Sequence, residues 1–246
     1  ATLDTKAAFK VDGTQFDVVV NGTSPSLKLS SNNGAPRDLG SISLGFKANR
    51  NRGGATNIHD AEVVSNSFNA KARMTIDKTE LDAQASAEIS ELALMSTELA
   101  GRAKLSAKVS GLITDLRSQI AVESQSISVA GRSITNLNAN LVGSGPLERH
   151  AVHTNIAAMV TDRKLEAKSQ FVVQANELNV DNFELGWGAL AVHGKAKLAP
   201  TYAEGKFHVD HGNLSQLSTL VGSSLAGRLT AELDLITIDS KPATRI

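Results

Sequence analysis

Along most of this chain apolar and polar residues alternate with a period of two. From Leu99 to Val109, the residues Leu99, Gly101, Ala103, Leu105, Ala107 and Val109 fall in one phase, and Arg102, Lys104, Ser106 and Lys108 in the other. Phe68, Ala70, Ala72, Met74 and Ile76 interleave in the same way with Asn69, Lys71, Arg73, Thr75 and Asp77. Ile42, Leu44, Phe46 and Ala48 repeat the pattern, as do Leu165, Ala167, Phe171 and Val173. Successive side chains of a strand point to opposite faces, so each run specifies a ribbon with one apolar and one polar side. Clusters with turn chemistry separate the runs: Asn32-Asn33-Gly34, Arg52-Gly53-Gly54 and Gly143-Ser144-Gly145-Pro146. Their spacing predicts roughly 15 strands in an antiparallel meander.

Two stretches leave this period. Ile89, Leu92, Leu94 and Met95, and later Leu214, Leu217, Leu220 and Val221, are spaced three and four apart, which predicts a short helix at each. Asn213 is placed to cap the second and Gly222 to end it. Ile89-Ser90-Glu91-Leu92 leads into Leu99-Ala100-Gly101-Arg102. About 125 positions later, Leu214-Ser215-Gln216-Leu217 leads into Leu225-Ala226-Gly227-Arg228. Upstream, Asn69-Ala70-Lys71-Ala72-Arg73-Met74 matches His193-Gly194-Lys195-Ala196-Lys197-Leu198. The reading is a single elongated β-repeat unit over 1–246, with residues 66–110 repeated in 190–236.

A sheet of this width with one apolar face must be covered, closed or curled. Two short helices cannot cover it. The expected fold is all-β: an elongated, curled antiparallel β-sheet with a continuous apolar groove and one or two short helices, on the order of 70 Å long. Aromatic residues are only 4% of the chain. Such an aliphatic lining leaves room that the rings of a tightly packed sandwich would fill. The plain alternative is a solid core poor in rings.

Composition removes several classes of function. The 246 residues carry 25 Lys+Arg against 25 Asp+Glu, a net charge of +0, which argues against nucleic acid as a partner. The absence of cysteine excludes disulfide scaffolds, Cys-type zinc sites and thiol catalysis. No Gly-x-Ser-x-Gly elbow or phosphate loop occurs, so no catalytic residue, metal or cofactor is expected. His150 and His153 fall on opposite faces of a strand. His208 and Asp210 share a polar face, with no third ligand in register. A solvated polar setting is expected for both pairs. Trp187, between Gly186 and Gly188, reads as a local plug or as a gate at the rim of the groove. Asn21-Gly22-Thr23 and Asn213-Leu214-Ser215 match the glycosylation triplet, a pattern that often arises by chance. No run of 18 apolar residues occurs, so no helical membrane span is expected. The start Ala1-Thr2-Leu3-Asp4, without Met or an apolar signal core, and the stop at Thr244-Arg245-Ile246 read as an internal piece of a longer protein.

Several segments carry a resemblance. Leu225-Ala226-Gly227-Arg228-Leu229-Thr230-Ala231-Glu232-Leu233-Asp234-Leu235 and its earlier copy at Leu99-Ala100-Gly101-Arg102-Ala103-Lys104-Leu105 are two of them. Val109-Ser110-Gly111-Leu112-Ile113-Thr114-Asp115-Leu116 is a third, and Ile127 to Arg132 with Ile134 to Leu141 a fourth. Together they resemble the C-terminal repeat region of the TamB family within the AsmA-like group. The match is densest from about residue 85 to 239. The resemblance implies a taco-shaped sheet with a greasy interior and a periplasmic location in a Gram-negative envelope. It also implies an inner-membrane anchor N-terminal to this segment, movement of phospholipid toward the outer membrane, and partnership with an outer-membrane barrel-assembly protein of the TamA/BamA type.

The expected function is therefore a phospholipid conduit in which acyl chains lie in the apolar groove. Extending the phase of each strand marks its lining as Leu105, Val109, Ile120, Val122, Val129, Leu137, Leu141, Phe171, Val173, Val180, Leu190, Val192, Phe207, Val209 and Leu233. The competing reading on the same fold is a chaperone-like module that pairs its sheet edges with strands of outer-membrane proteins or autotransporters. A β-solenoid would show a shorter period, with stacked Asn or Gly, and no such ladder is present.

Overall fold

Strands with one apolar side can share that side only if cross-strand register keeps their phases aligned. The register does so across the described strands of the main sheet. A computed structural model describes residues 4–26, 28–31, 34–38, 40–94, 96, 98–218, 223–238 and 241–245. The first half of the meander contains β1 (Asp4–Asp12), β2 (Gln15–Ser24), β5 (Ile42–Arg50), β6 (Thr56–Ser65), β7 (Phe68–Asp77) and β8 (Glu80–Ile89). A separate hairpin of β3 (Lys28–Ser31) and β4 (Gly34–Asp38) interrupts it after β2. The meander continues through β10 (Ala103–Leu112), β11 (Asp115–Val129), β12 (Arg132–Gly145), β13 (Arg149–Val160), β14 (Arg163–Gln174) and β15 (Glu177–Trp187). It ends with β16 (Leu190–Ala199), β17 (Tyr202–His211), β18 (Leu229–Ile238) and β19 (Lys241–Arg245). The three-residue β9 (Leu99–Gly101) pairs with the far end of β11.

Every pairing is antiparallel and every meander strand pairs with the next, from β1 to β19. Among the described residues β1 and β19 do not pair with each other, so this long curled sheet is open. Among the described residues substantial contacts join elements adjacent in the sheet. The accessible surface is 15641 Å², about half as large again as the roughly 10,500 Å² of a compact monomer of this mass. Six of the ten buried hydrophobic residues are alanines (Ala55, Ala103, Ala139, Ala158, Ala167 and Ala203), sunk between taller neighbours on the sheet.

Tight turns hold the register. Asp12 faces Gln15 across Gly13-Thr14, Val129 faces Arg132 across Ala130-Gly131, and Val160 faces Arg163 across Thr161-Asp162. Gly13, Ala130, Gly131, Thr161 and Asp162 all have positive φ, as two-residue hairpin turns require. The apolar phase itself switches inside four strands. In β11 it runs Ile120 and Val122, then Ile127 and Val129. In β12 it runs Ile134, then Leu137 and Leu141; in β15 Leu178 and Val180, then Phe183 and Leu185; in β6 Ile58, then Ala61 and Val63. Each switch coincides with an extra residue in that strand: near Gln125, at Asn136 (φ 52°), near Asp181 and at Asp60 (φ 51°). These bulges return the apolar set to the same face.

Three expectations need correction. The two helices are single 3-10 turns, Leu92–Leu94 and Leu214–Leu217, because a few residues between strands are too short to nucleate an α-helix. Asn213 does cap the second: its Oδ1 accepts from the Ser215 N–H at 3.1 Å. Met95, Leu220, Val221 and the expected terminator Gly222 lie outside the described residues, as do Asn32 and Asn33 of the first turn cluster. Gly143 and Ser144 belong to β12 rather than to a turn. The reversal follows them, closed by the Arg149 N–H donating to the Pro146 carbonyl at 3.0 Å. His150, expected on a solvated face, is half-buried on the apolar side.

Candidate functional site

The apolar face forms the candidate site. Reading straight across the ladder from Leu44 in β5, the directly opposed residues are Val63, Ala70, Ala87, Leu105, Val122, Ala139, Ile156, Ala167, Leu185, Val192, Val209 and Ala231. This row crosses thirteen strands without a polar side chain. The next row includes Ile120, Leu141, Phe183, Phe207 and Leu233, broken by Thr154 and Ser169. A further row carries Val109, Val152, Phe171, Val180 and Leu235.

Register places all fifteen residues marked from the sequence on this face. Leu105, Val122, Val192 and Val209 lie in the central row, and Ile120, Leu141, Phe207 and Leu233 in the row beside it. Val109, Phe171 and Val180 lie one row further, and Val173 beyond them opposite Leu178. On the other side Leu137 faces Ser124, Leu190 faces Trp187 and His211, and Val129 faces Leu99 and Arg132 at the margin. Most are partly shielded by neighbours. Ile120, Val129 and Val173 are 40%, 36% and 41% exposed, more than side chains under a packed layer would be. Alternation alone had not marked Leu185, Ile156 or Phe183, although their phases were readable once a bulge is allowed.

One margin is plugged. Trp187 is 6% exposed and its Nε1–H donates to the Val160 carbonyl at 3.1 Å. The Arg163 guanidinium sits 5.6 Å from the centre of its ring and donates to the Gln216 carbonyl at 3.2 Å. Gln216 Oε1 accepts from the Ala189 N–H at 3.0 Å, tying the second 3-10 turn over this corner. Beside it His211 is fully buried, its Nδ1 accepting from the Asn213 N–H at 3.2 Å. Trp187 is thus the local plug of the two sequence readings.

A second polar cluster interrupts the apolar side. His150 reaches across Gly143 to place Nε2 2.8 Å from Ser118 Oγ, while Nδ1 lies 3.1 Å from the Gly145 carbonyl. A Cβ at Gly143 would run into the His150 ring and Ser118 Oγ, so a larger residue there would displace the pair. The arrangement matches a nucleophile–base pair, but within an antiparallel ladder the neighbouring amides are committed to strand pairing.

The opposite face is wet and mixed in charge. Lys71 pairs with Glu62 at 3.1 Å, Lys104 with Glu88 at 3.7 Å, and Lys164 with Glu166 at 2.7 Å. Lys164 donates to Glu166 and holds its carboxyl below the usual range. Glu177 is held low first by the Tyr202 hydroxyl, which donates to it at 2.8 Å, and then by Lys197. The concavities on this side are shallow gaps between charged side chains, one of about 580 Å³ among Lys71, Arg73, Gln84, Ser86, Lys108 and Gln119. Among the described residues no helix is long and apolar enough to cross a membrane. Comparison with known protein families, characterised proteins and solved structures returned no match.

Proposed function

We propose that this chain is a segment of a lipid conduit that holds phospholipid acyl chains along its apolar face while headgroups stay in water. The carrying observation is the unbroken apolar row, flanked by side chains such as Ile120 and Val173 that stay about two-fifths exposed. A chain laid on that row gains about 0.8 kcal/mol for each methylene removed from water. The aliphatic composition suits a flexible guest, and the mixed-charge opposite face keeps the sheet soluble from outside. The resemblance to TamB-type repeats adds periplasmic residence, transport between the membranes and a barrel-assembly partner to this proposal.

A test follows from neighbours on opposite faces. Photocrosslinking residues at Val122 and at Glu123, incubated with phospholipid, should label lipid from Val122 only. Equal labelling, or labelling from Glu123 alone, overturns the reading. Native mass spectrometry of the purified chain should show bound phospholipid.

A second reading has one observation of its own. Among the described residues β1 pairs on one side only, and it is exposed along its whole length, with Phe9 at 70% and Val11 at 72%. Such an edge can accept a strand, as a chaperone for unfolded barrel proteins would. An empty chain that captures barrel-strand peptides through β1 favours this alternative.

A further inference from the structure

On the polar face, register assembles a row that the linear sequence hides. Glu184 in β15 stands opposite His193 in β16, His193 opposite His208 in β17, and His208 opposite Glu232 in β18. Directly opposed side chains have Cβ atoms about 4.5–5.5 Å apart, close enough for two imidazoles to share one ion at metal–nitrogen bonds of about 2.0–2.1 Å. His208 is already oriented for it. Its Nδ1 lies 2.7 Å from Glu232 Oε1; with the proton on Nδ1 donated to that carboxylate, the Nε2 lone pair is left for a metal.

Asp210 follows His208 on the same face, but its Oδ1 is buried, without a hydrogen-bond partner among the described residues, and is closed to an ion arriving from solvent.

We propose that His193 and His208 form a surface site for a divalent transition metal, with Glu232 orienting His208. Two imidazoles select zinc, copper or nickel over magnesium or calcium. Among the described residues no three ligating side chains converge on one point, so water completes the coordination. Lys195 and Lys206 face each other in the row beyond and oppose a second positive charge. Both features place the site in the exchangeable class rather than among structural metals. It lies on the face away from the lipid-holding side and does not depend on that reading.

Zinc chloride titrated calorimetrically into the whole chain, in a non-coordinating buffer, tests the site. One equivalent should bind, while magnesium chloride should give no comparable heat. Glu232→Gln, which removes the partner that orients His208, should weaken zinc binding roughly 10–100-fold, and His193→Gln and His208→Gln, which each remove a ligand, should weaken it at least as much. His153→Gln, on an exposed position of β13, should bind as the parent does. These substitutions sit on a solvated face, and circular dichroism checks that the sheet persists. No zinc binding by the parent overturns the proposal. So does binding that survives in the His193→Gln/His208→Gln double variant, or binding that disappears with His153→Gln.

Discussion

The two faces of the sheet are made by the same strands, yet they are specified in different ways. On one, thirteen strands present aliphatic side chains in register, and four strands take an extra residue so that the phase survives. On the other, exposed ions of both signs pair across strands, as Lys71 does with Glu62 and Lys197 with Glu177. Exposed pairs are worth about 0–1 kcal/mol each, so the polar face tolerates change. The apolar face is held by phase, and one misplaced residue would turn a strand's whole hydrophobic set to water. The difference teaches where the protein has spent its sequence constraint.

The largest break should come at the plugged margin. Trp187→Ala removes a ring that is 6% exposed, taking it from under the Arg163 guanidinium and taking the indole N–H from the Val160 carbonyl. It should cost about 3–5 kcal/mol, read as a fall in the urea midpoint. Gly143→Val comes next. Its side chain would collide with the His150 ring and Ser118, and should cost about 1–3 kcal/mol. Adding His150→Ala should recover much of that loss, and a purely additive double variant would contradict the close approach.

Smaller effects sharpen the contrast between faces. Val192→Asp puts a carboxylate in the middle of the apolar row and should abolish lipid capture, measured as bound phospholipid per chain, while costing about 1–3 kcal/mol in stability. The matching change outside is Lys104→Gln, expected within about 0.5 kcal/mol of the parent with lipid capture intact. Lys104→Asp would be a poor control, because Lys104 stands opposite both Glu88 and Glu123 and a third carboxylate would repel them.

The smallest effect is acid-dependent. The fold lowers the pKa of Glu177, so its contribution is fully present above the ordinary glutamate value of about 4.3 and is lost as pH falls through the folded value. The small stability gap between the parent and Glu177→Gln should close on acidification, and a gap that widens in acid would contradict the Tyr202 and Lys197 contacts.

Much of this was legible in the chain. Alternation in Leu99–Val109 and Phe68–Ile76 marked the strands, and the fifteen phase-matched residues fall on one face because side-chain direction follows from position in a strand. The bulges were legible as well: a switch from Val122 to Ile127 can keep one face only if a residue is inserted. What pairing alone revealed is of another kind. His150 looked solvated because its partner, Ser118, lies 32 residues away in sequence. His208 lacked a companion until a hairpin set it opposite His193. The expected helices shrank to 3-10 turns because spacing reports which side a residue occupies, while helix length depends on what the flanking strands leave free.

By itself the sequence determined that this chain is a two-sided antiparallel ribbon, since a period of two acts residue by residue and needs no partner. It also determined that cysteine chemistry is absent and that the charges balance. Tertiary structure alone decided that, among the described residues, the ribbon stays open, and that Glu184, His193, His208 and Glu232 stand in one line. The physical reason is that facing is a local property of backbone geometry, whereas adjacency depends on register. Register is set jointly by turn lengths, bulges and the cost of turning a hydrophobic face to water.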